Sequence, residues 1–391
     1  MSLTLDKSGW KRVALGDVIR HVTDRVDPET SGLERFLAGE HIPSNSLHIK
    51  EWGVIGRDPI GPMFYKRFRP GHVLYVSRRS YLRKTAVPEF EGITGEKTFV
   101  LETRDQTVLL QEFMPFLLSA EAFHSYAVAN SRGSVNPYIN WTDLANYQFD
   151  LPPLQEQVRL AELLWAVERN RLALVEAGRA LASAESIWTR DAITGLDWSL
   201  PLVEAVSNDR PLCYGVVQPG VEAERGVGLV RVMDLESGNP SRRDLKRISP
   251  EVDLQYRRSK IVAGDVLVSI VGTIGRTWVV TDEFEGCNIA RALARISPNS
   301  KVMLPDFLAW VLSSDRLQST LLSAAFESAR KTLNLSVLSN VLLPRISVLE
   351  QKALLNRRAD FLVAKASVGV EVAAISKIRE GLLVEIFGDA T

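Results

Sequence analysis

Apolar residues recur at alternating steps of four and three along two distant stretches of the chain. Positions 160, 164, 167, 171, 174, 178, 181, 185 and 188 read Leu, Leu, Val, Arg, Leu, Gly, Leu, Glu and Trp. This spacing turns one face of a helix toward a partner, so the stretch ending near Gly195 predicts a long helix with a coiled-coil seam. Adding 194 to each position gives Leu354, Arg358, Phe361, Lys365, Val368, Val372, Ile375, Arg379 and Leu382, and the polar interruption at Arg171 returns as Lys365. The second helix ends near Gly388, a residue type that fits a helix C-terminus. At ~1.5 Å per residue, helices of about 35–40 residues measure roughly 55–60 Å. One apolar stripe is usually ordinary core packing, but no small domain covers two of this length. The economical arrangement packs them on each other, antiparallel, because each closes its own half of the chain.

The duplication extends upstream of the helices, with a period of about 190 residues. PGHVLYVSRRSYLRKTAVPEFEG, from Pro70, aligns with AGDVLVSIVGTIGRTWVVTDEFEG, from Ala263. Met114-Pro115-Phe116-Leu117 echoes Leu304-Pro305-Asp306-Phe307-Leu308, and Glu156-Gln157 falls on Glu350-Gln351. Within each copy, strand-like runs (Val73 to Val76; Val266 to Val271), further β-rich pieces (KTFVLE; TWVV) and one helix (about Glu112 to Ala127; Pro305 to Ala324) predict a mixed module. The expected fold class is α/β (α+β), with two pseudo-repeated modules separated by two long antiparallel helices. The expected boundaries are 1–150 and 196–343 for the modules, and 151–195 and 344–391 for the helices. The segment Gly195 to Pro201 marks the join, where Trp198 matches Trp10.

A length of 391 residues suits two separate cores, and 46% hydrophobic with 24% charged residues is the composition of a folded soluble protein. Charge interrupts every apolar run well short of the roughly 18–20 residues that span a bilayer, and MSLTLDKSGWKRV has no apolar signal core. A cytoplasmic protein is expected. Cys213 and Cys287 form no CxxC pair, and His21, His41, His48, His72 and His124 lack metal-ligand spacing, so neither a disulfide nor a metal site is expected. Forty-seven basic residues balance forty-seven acidic ones, which argues against nucleic-acid binding through overall charge. The distribution is uneven. Between Arg57 and Lys84 eight basic residues face one acid, and between Arg225 and Lys260 nine face five, whereas Leu154 to Gly195 carries five against six.

A duplicated β-rich module ending in Leu151-Pro-Pro-Leu-Gln-Glu-Gln157 and a long helix resembles the specificity subunits of Type I restriction-modification systems. The preceding Ser131-Arg-Gly-Ser-Val-Asn-Pro-Tyr-Ile139 and Gly264-Asp-Val-Leu-Val-Ser-Ile-Val-Gly-Thr-Ile-Gly-Arg276 carry the same resemblance. It covers nearly the whole chain, with departures at Leu343-Pro-Arg-Ile, which lacks the double proline, and at Ser77-Arg-Arg-Ser-Tyr-Leu-Arg83, which replaces the glycine loop. It implies two target-recognition domains, each reading half of a bipartite DNA sequence, with the helices setting the gap between halves. It also implies modification (methyltransferase) subunits docked on the helices and restriction/translocase subunits beyond them. S-adenosylmethionine, ATP and Mg would belong to those partners, and this chain would hold no cofactor and catalyse nothing.

Base edges are read chiefly by Arg, Asn and Gln, while Lys, Arg, Ser and Thr grip phosphates. The first module offers Arg78, Arg79, Tyr81, Arg83 and Lys84 after its VLYV strand, and Arg132, Ser134 and Asn136 before the long helix. The second offers Thr273 and Arg276, then Ser328, Arg330, Lys331 and Asn334 at the matching late position. Any one arginine is equally a solvated surface charge, and Gly272 and Gly275 most simply permit a turn. Catalytic readings are weaker. Asn136-Pro-Tyr138 lacks the second proline of an adenine-methyltransferase motif, and Asp306 with Glu350-Gln-Lys352 imitates a nuclease where helix capping is simpler. No GxxxxGK[ST] phosphate loop exists. The remaining alternative is a non-enzymatic scaffold that binds other proteins through its two modules.

Overall fold

The computed structural model describes residues 5–235, 240–326 and 332–388. It comprises two compact units, Met1–Ala177 with Val368–Thr391, and Gly178–Ser367. The long helices are α1, Leu154–Thr194, of 41 residues, and α2, Val348–Phe387, of 40 residues. Each helix is divided between the units, so each unit holds the first part of one and the last part of the other. Antiparallel pairing requires that exchange. Every position of both 4-3 series is buried or half-buried, and the residue two places after each is exposed. At the end of α2, Gly388 takes a φ of +90° and its N–H caps Val384 O at 2.8 Å.

Within the first unit, a four-stranded antiparallel sheet runs Ile19–His21, Thr98–Thr103, Val73–Val76, Thr85–Ala86. The second unit repeats the order with Cys213–Tyr214, Leu293–Ile296, Val266–Ser269 and Thr277–Val279. Both central strands, VLYV and VLVS, are buried at every residue, as near-continuous apolar runs, broken only by Ser269 at the end of the second, are when covered on both faces. Each follows a turn at a left-handed glycine, Gly71 with φ +83° and Gly264 with φ +84°, a conformation a Cβ would strain. A further sheet in each unit contains one parallel pair, Arg35–Leu37 with Gly92–Gly95 and Val227–Val230 with Asn288–Ile289. The first unit adds the strand Phe64–Phe68 there; at the corresponding place the second has a 3-10 turn, Arg257–Ser259.

Two-stranded ribbons close each module just before its long helix, Lys11–Ala14 with Gln148–Leu151 and Leu200–Pro201 with Leu342–Leu343. The single helix expected in each module is broken in two: Met114–Leu117 and Glu121–Ala129 in one, Pro305–Leu312 and Asp315–Phe326 in the other. The breaks fall at Ser119 and at Ser313-Ser314, whose hydroxyls bond back to Pro115 O at 2.8 Å, Ala309 O at 2.8 Å and Val311 O at 2.6 Å. Serine competing for helical carbonyls explains what an apolar periodicity does not register.

A buried glutamine ties each long helix to its module. Gln157 accepts from Leu110 N at 2.8 Å and donates to Val108 O and Pro152 O, both at 2.8 Å. Gln351 repeats the set with Leu304 N at 2.8 Å, Val302 O at 2.8 Å and Ile346 O at 3.2 Å. Beside it Ser347 and Glu350 form a capping box, with Glu350 accepting from Ser347 N at 2.8 Å and Oγ at 2.7 Å. Glu350 is therefore occupied as a helix cap, not as a metal ligand.

Candidate DNA interface

In the first unit the two arginine-bearing loops form one surface. Ile139 N donates to Ser77 O at 3.0 Å, the Ser80 and Ser131 hydroxyls meet at 3.0 Å, and Arg79 N reaches Pro137 O at 2.5 Å. Tyr138 is the hub: its N–H and C=O pair with those of Arg132 at 3.0 and 2.8 Å, and it also bridges to Arg78. Arg79, in the left-handed region at φ +54°, donates from Nε to Asn136 Oδ1 at 2.9 Å. Arg78, Arg79, Tyr81, Arg132, Ser134 and Asn136 are exposed around this junction.

The charge of the Arg57–Lys84 segment is largely spent on internal partners. Arg57 pairs with Asp58 at 3.0 Å, Arg67 with Glu91 at 2.7 Å, Arg69 with Asp24 at 2.8 Å, and Arg83 with Glu121 at 2.6 Å. The Lys84 ammonium donates to Gly39 O, and burial lowers its pKa. Arg132 is exposed but lies 3.0 Å from Asp143. Arg78 and Arg79 keep no carboxylate partner among the described residues. The sequence count of eight cations thus reduces, at this surface, to a pair.

The second unit repeats the junction's backbone: Leu333 N donates to Ile270 O at 2.9 Å and Val271 bridges to Thr332. The loop from 270 to 276 is held by Ser269, whose Oγ bonds Thr273 O and accepts from Arg276 N at 2.9 Å. Thr273 is exposed and Arg276 half-buried. A Cβ on Gly275 would lie 2.4 Å from the Gln318 side chain, which donates to Gly275 O at 2.8 Å, so this glycine serves close packing. Asn334 is exposed at the N-cap of the helix Leu335–Ser339, the place Asn140 holds in the first unit. Ser328, Arg330 and Lys331 lie outside the described residues. Sequence reasoning counted the charge of the 225–260 segment without choosing from it. Arg243, Arg247, Arg257 and Arg258 are exposed there with no carboxylate partner among the described residues. It also passed over Tyr138, although the residue stood within a quoted motif; only its backbone pairing marks it.

Residues 64–180 match the family model described as the Type I restriction modification DNA specificity domain. The chain is also 35% identical, over 293 residues, to the Type I restriction enzyme EcoBI specificity subunit of Escherichia coli. Over these residues the chain is similar to the specificity subunits of Type I restriction-modification systems. The match covers 66% of this chain and spans about three fifths, 61%, of that curated relative. Three solved structures share the fold of this chain. The HsdS subunit from Thermoanaerobacter tengcongensis is 22% identical with a TM-score of 0.52, covering 97% of each chain. The Type-I restriction-modification system S subunit from M. genitalium is 15% identical with a TM-score of 0.57, covering 100% of each. A chain from a structure concerned with complex assembly and conformational transition of the type I R-M system is 20% identical, with a TM-score of 0.61 and 98% coverage of each.

Proposed function

We propose that the chain is the DNA-reading subunit of a Type I restriction-modification complex and is itself non-catalytic. The observation that carries this reading is the joined loop surface of the first unit, where Arg78 and Arg79 stand around Tyr138 without a carboxylate partner among the described residues. Guanidiniums that no carboxylate neutralises, beside an amide and a ring, are the groups that reach base edges and phosphates, and they favour DNA over a protein scaffold. Arg78, Arg79, Asn136, Ser134 and Arg132 contact one half-site, while Tyr81 flanks them; Arg83 and Lys84 hold the loop in place. In the second unit Thr273, Arg276, Ser328, Arg330, Lys331 and Asn334 read the other half, and Arg243, Arg247, Arg257 and Arg258 grip its backbone. Residues 1–150 and 196–343 are the two recognition domains. Methylation of adenine with S-adenosylmethionine, and ATP- and Mg-dependent cleavage, belong to the modification and restriction subunits that this chain assembles on duplex DNA in the cytoplasm.

The test is methylome sequencing of the complex reconstituted with its modification subunits. Arg78→Ala with Arg79→Ala is expected to relax or abolish one half of the methylated motif, at about 1–3 kcal/mol per lost base contact. Arg330→Ala with Lys331→Ala is expected to disturb the other half. Both pairs acting on one half, or neither acting, overturns the placement of the reading loops.

A further inference from the structure

Beside the Arg78/Arg79 junction, the first unit opens an unassigned cleft of about 260 Å³. Its mouth carries two aromatic rings, each covered by a cation: Lys97 Nζ lies 4.8 Å from the centre of Tyr138, and the Arg25 guanidinium 4.8 Å from the centre of Tyr65. Behind them Lys66 donates to Glu96 O at 2.6 Å and Thr98 O at 3.0 Å, and burial pushes its pKa down to about 8. Trp141 closes the rear, edge-on to Phe99 at 5.9 Å. Three cations face one carboxylate, Glu96, which is 3.8 Å from Lys97.

The cleft is continuous with the reading surface, because Ser77 and Tyr138 belong to both. Surface cations resting on partly exposed rings leave a planar face that an arriving ring takes over while the cations turn to its phosphate, which is how proteins hold unstacked nucleotides. A base within a duplex has both faces covered, so one entering here has left the stack.

We propose that this cleft receives one nucleotide of the bound DNA, its base lifted onto Tyr138 and its phosphate held by Lys97 and Arg25. The proposal rests on the DNA-reading function above. It confines capture of a base by this chain to one half-site, since the strand Phe64–Phe68 that bears Tyr65 and Lys66 has no counterpart strand among the described residues of the second unit.

The probe is a random-sequence duplex pool carrying 5-iododeoxyuridine in place of thymidine, irradiated with the full chain and its modification subunits, with crosslinked peptides identified by mass spectrometry. Crosslinks at Tyr138 or Tyr65 are expected. Tyr138→Leu should lose them and weaken duplex binding roughly tenfold, while Tyr138→Phe, which keeps the ring, should retain them. Lys97→Ala, at a surface position, should weaken binding and increase crosslinking to the uncovered ring. Crosslinks confined to 78–83 and 131–136 overturn the cleft and leave the DNA-reading function standing. Duplex that neither binds nor crosslinks overturns both.

Discussion

At matching places in the two modules, different side chains perform one backbone task. The turn before each central strand is closed by a side-chain acceptor, His72 Nδ1 for Arg69 N at 3.1 Å and Asp265 Oδ2 for Val262 N at 2.9 Å. Chemistry was free to change because the turn demands only an acceptor. At Gln157 and Gln351 it was not: each position needs one acceptor and two donors in a site with 0% exposure, and among side chains only an amide offers both. Gln157→Ala and Gln351→Ala each strand an N–H and two carbonyls, so a loss of about 2–4 kcal/mol is expected for the affected unit in denaturant unfolding. Gln→Glu should be at least as damaging, because it buries a charge and removes both donors. A loss below about 0.5 kcal/mol for either alanine variant would show that water replaces the amide.

On the helices, the seam's polar interruptions are solved differently in the two units. In the second, Lys365 meets Glu185 at 2.6 Å. The repeat places Arg171 and Arg379 at the same two positions in the first, which is a like-charge pair. Glu168, 4% exposed, resolves it, ion-paired with Arg171 at 2.6 Å and with Arg379 at 2.9 Å. Its counterpart on α2 is Leu362, so only the first unit has this triad. Burial lowers the Arg379 pKa despite the partner, which indicates how incompletely the charge is compensated. Removing the carboxylate while leaving both arginines should cost about 3–5 kcal/mol, whereas Glu168→Leu with Arg379→Met should recover most of it. Equilibrium unfolding of the single and double variants decides this; a double variant as unstable as Glu168→Leu alone would mean the triad is a packing unit and not a charge balance.

Over the whole molecule the histidines are unevenly placed, all five lying in the first unit. Burial, then the Lys66 charge, lowers His21 to about 4, and burial, then Arg83 and Arg379, lowers His124 to about 3. Both are neutral in the folded state at pH 5, while in the unfolded chain they charge near 6.5. Their contribution is therefore complete above that value and is lost progressively as pH falls toward the folded-state values. Between pH 7 and 5 the first unit should lose stability, with uptake of at least about two protons on unfolding, since burial lowers His72 as well, while the second changes little. Denaturant unfolding resolved by peptide between the two units measures this, and equal shifts in both would contradict it.

How much was legible from the sequence depended on the range of the contacts involved. The duplication, the long helices, their seam and the buried VLYV and VLVS strands follow from local periodicity and from comparing the chain with itself, because each feature repeats its own physical signature. The availability of each arginine could not be read that way. Arg67, Arg69 and Arg83 are neutralised by Glu91, Asp24 and Glu121, carboxylates outside their own cationic segment. Nor does any period announce that Tyr138 joins two separate loops, or that a serine will break a helix at Ser119. A pairing between distant residues leaves no pattern along the chain; the fold alone decides which charges meet, and so which are left without a partner.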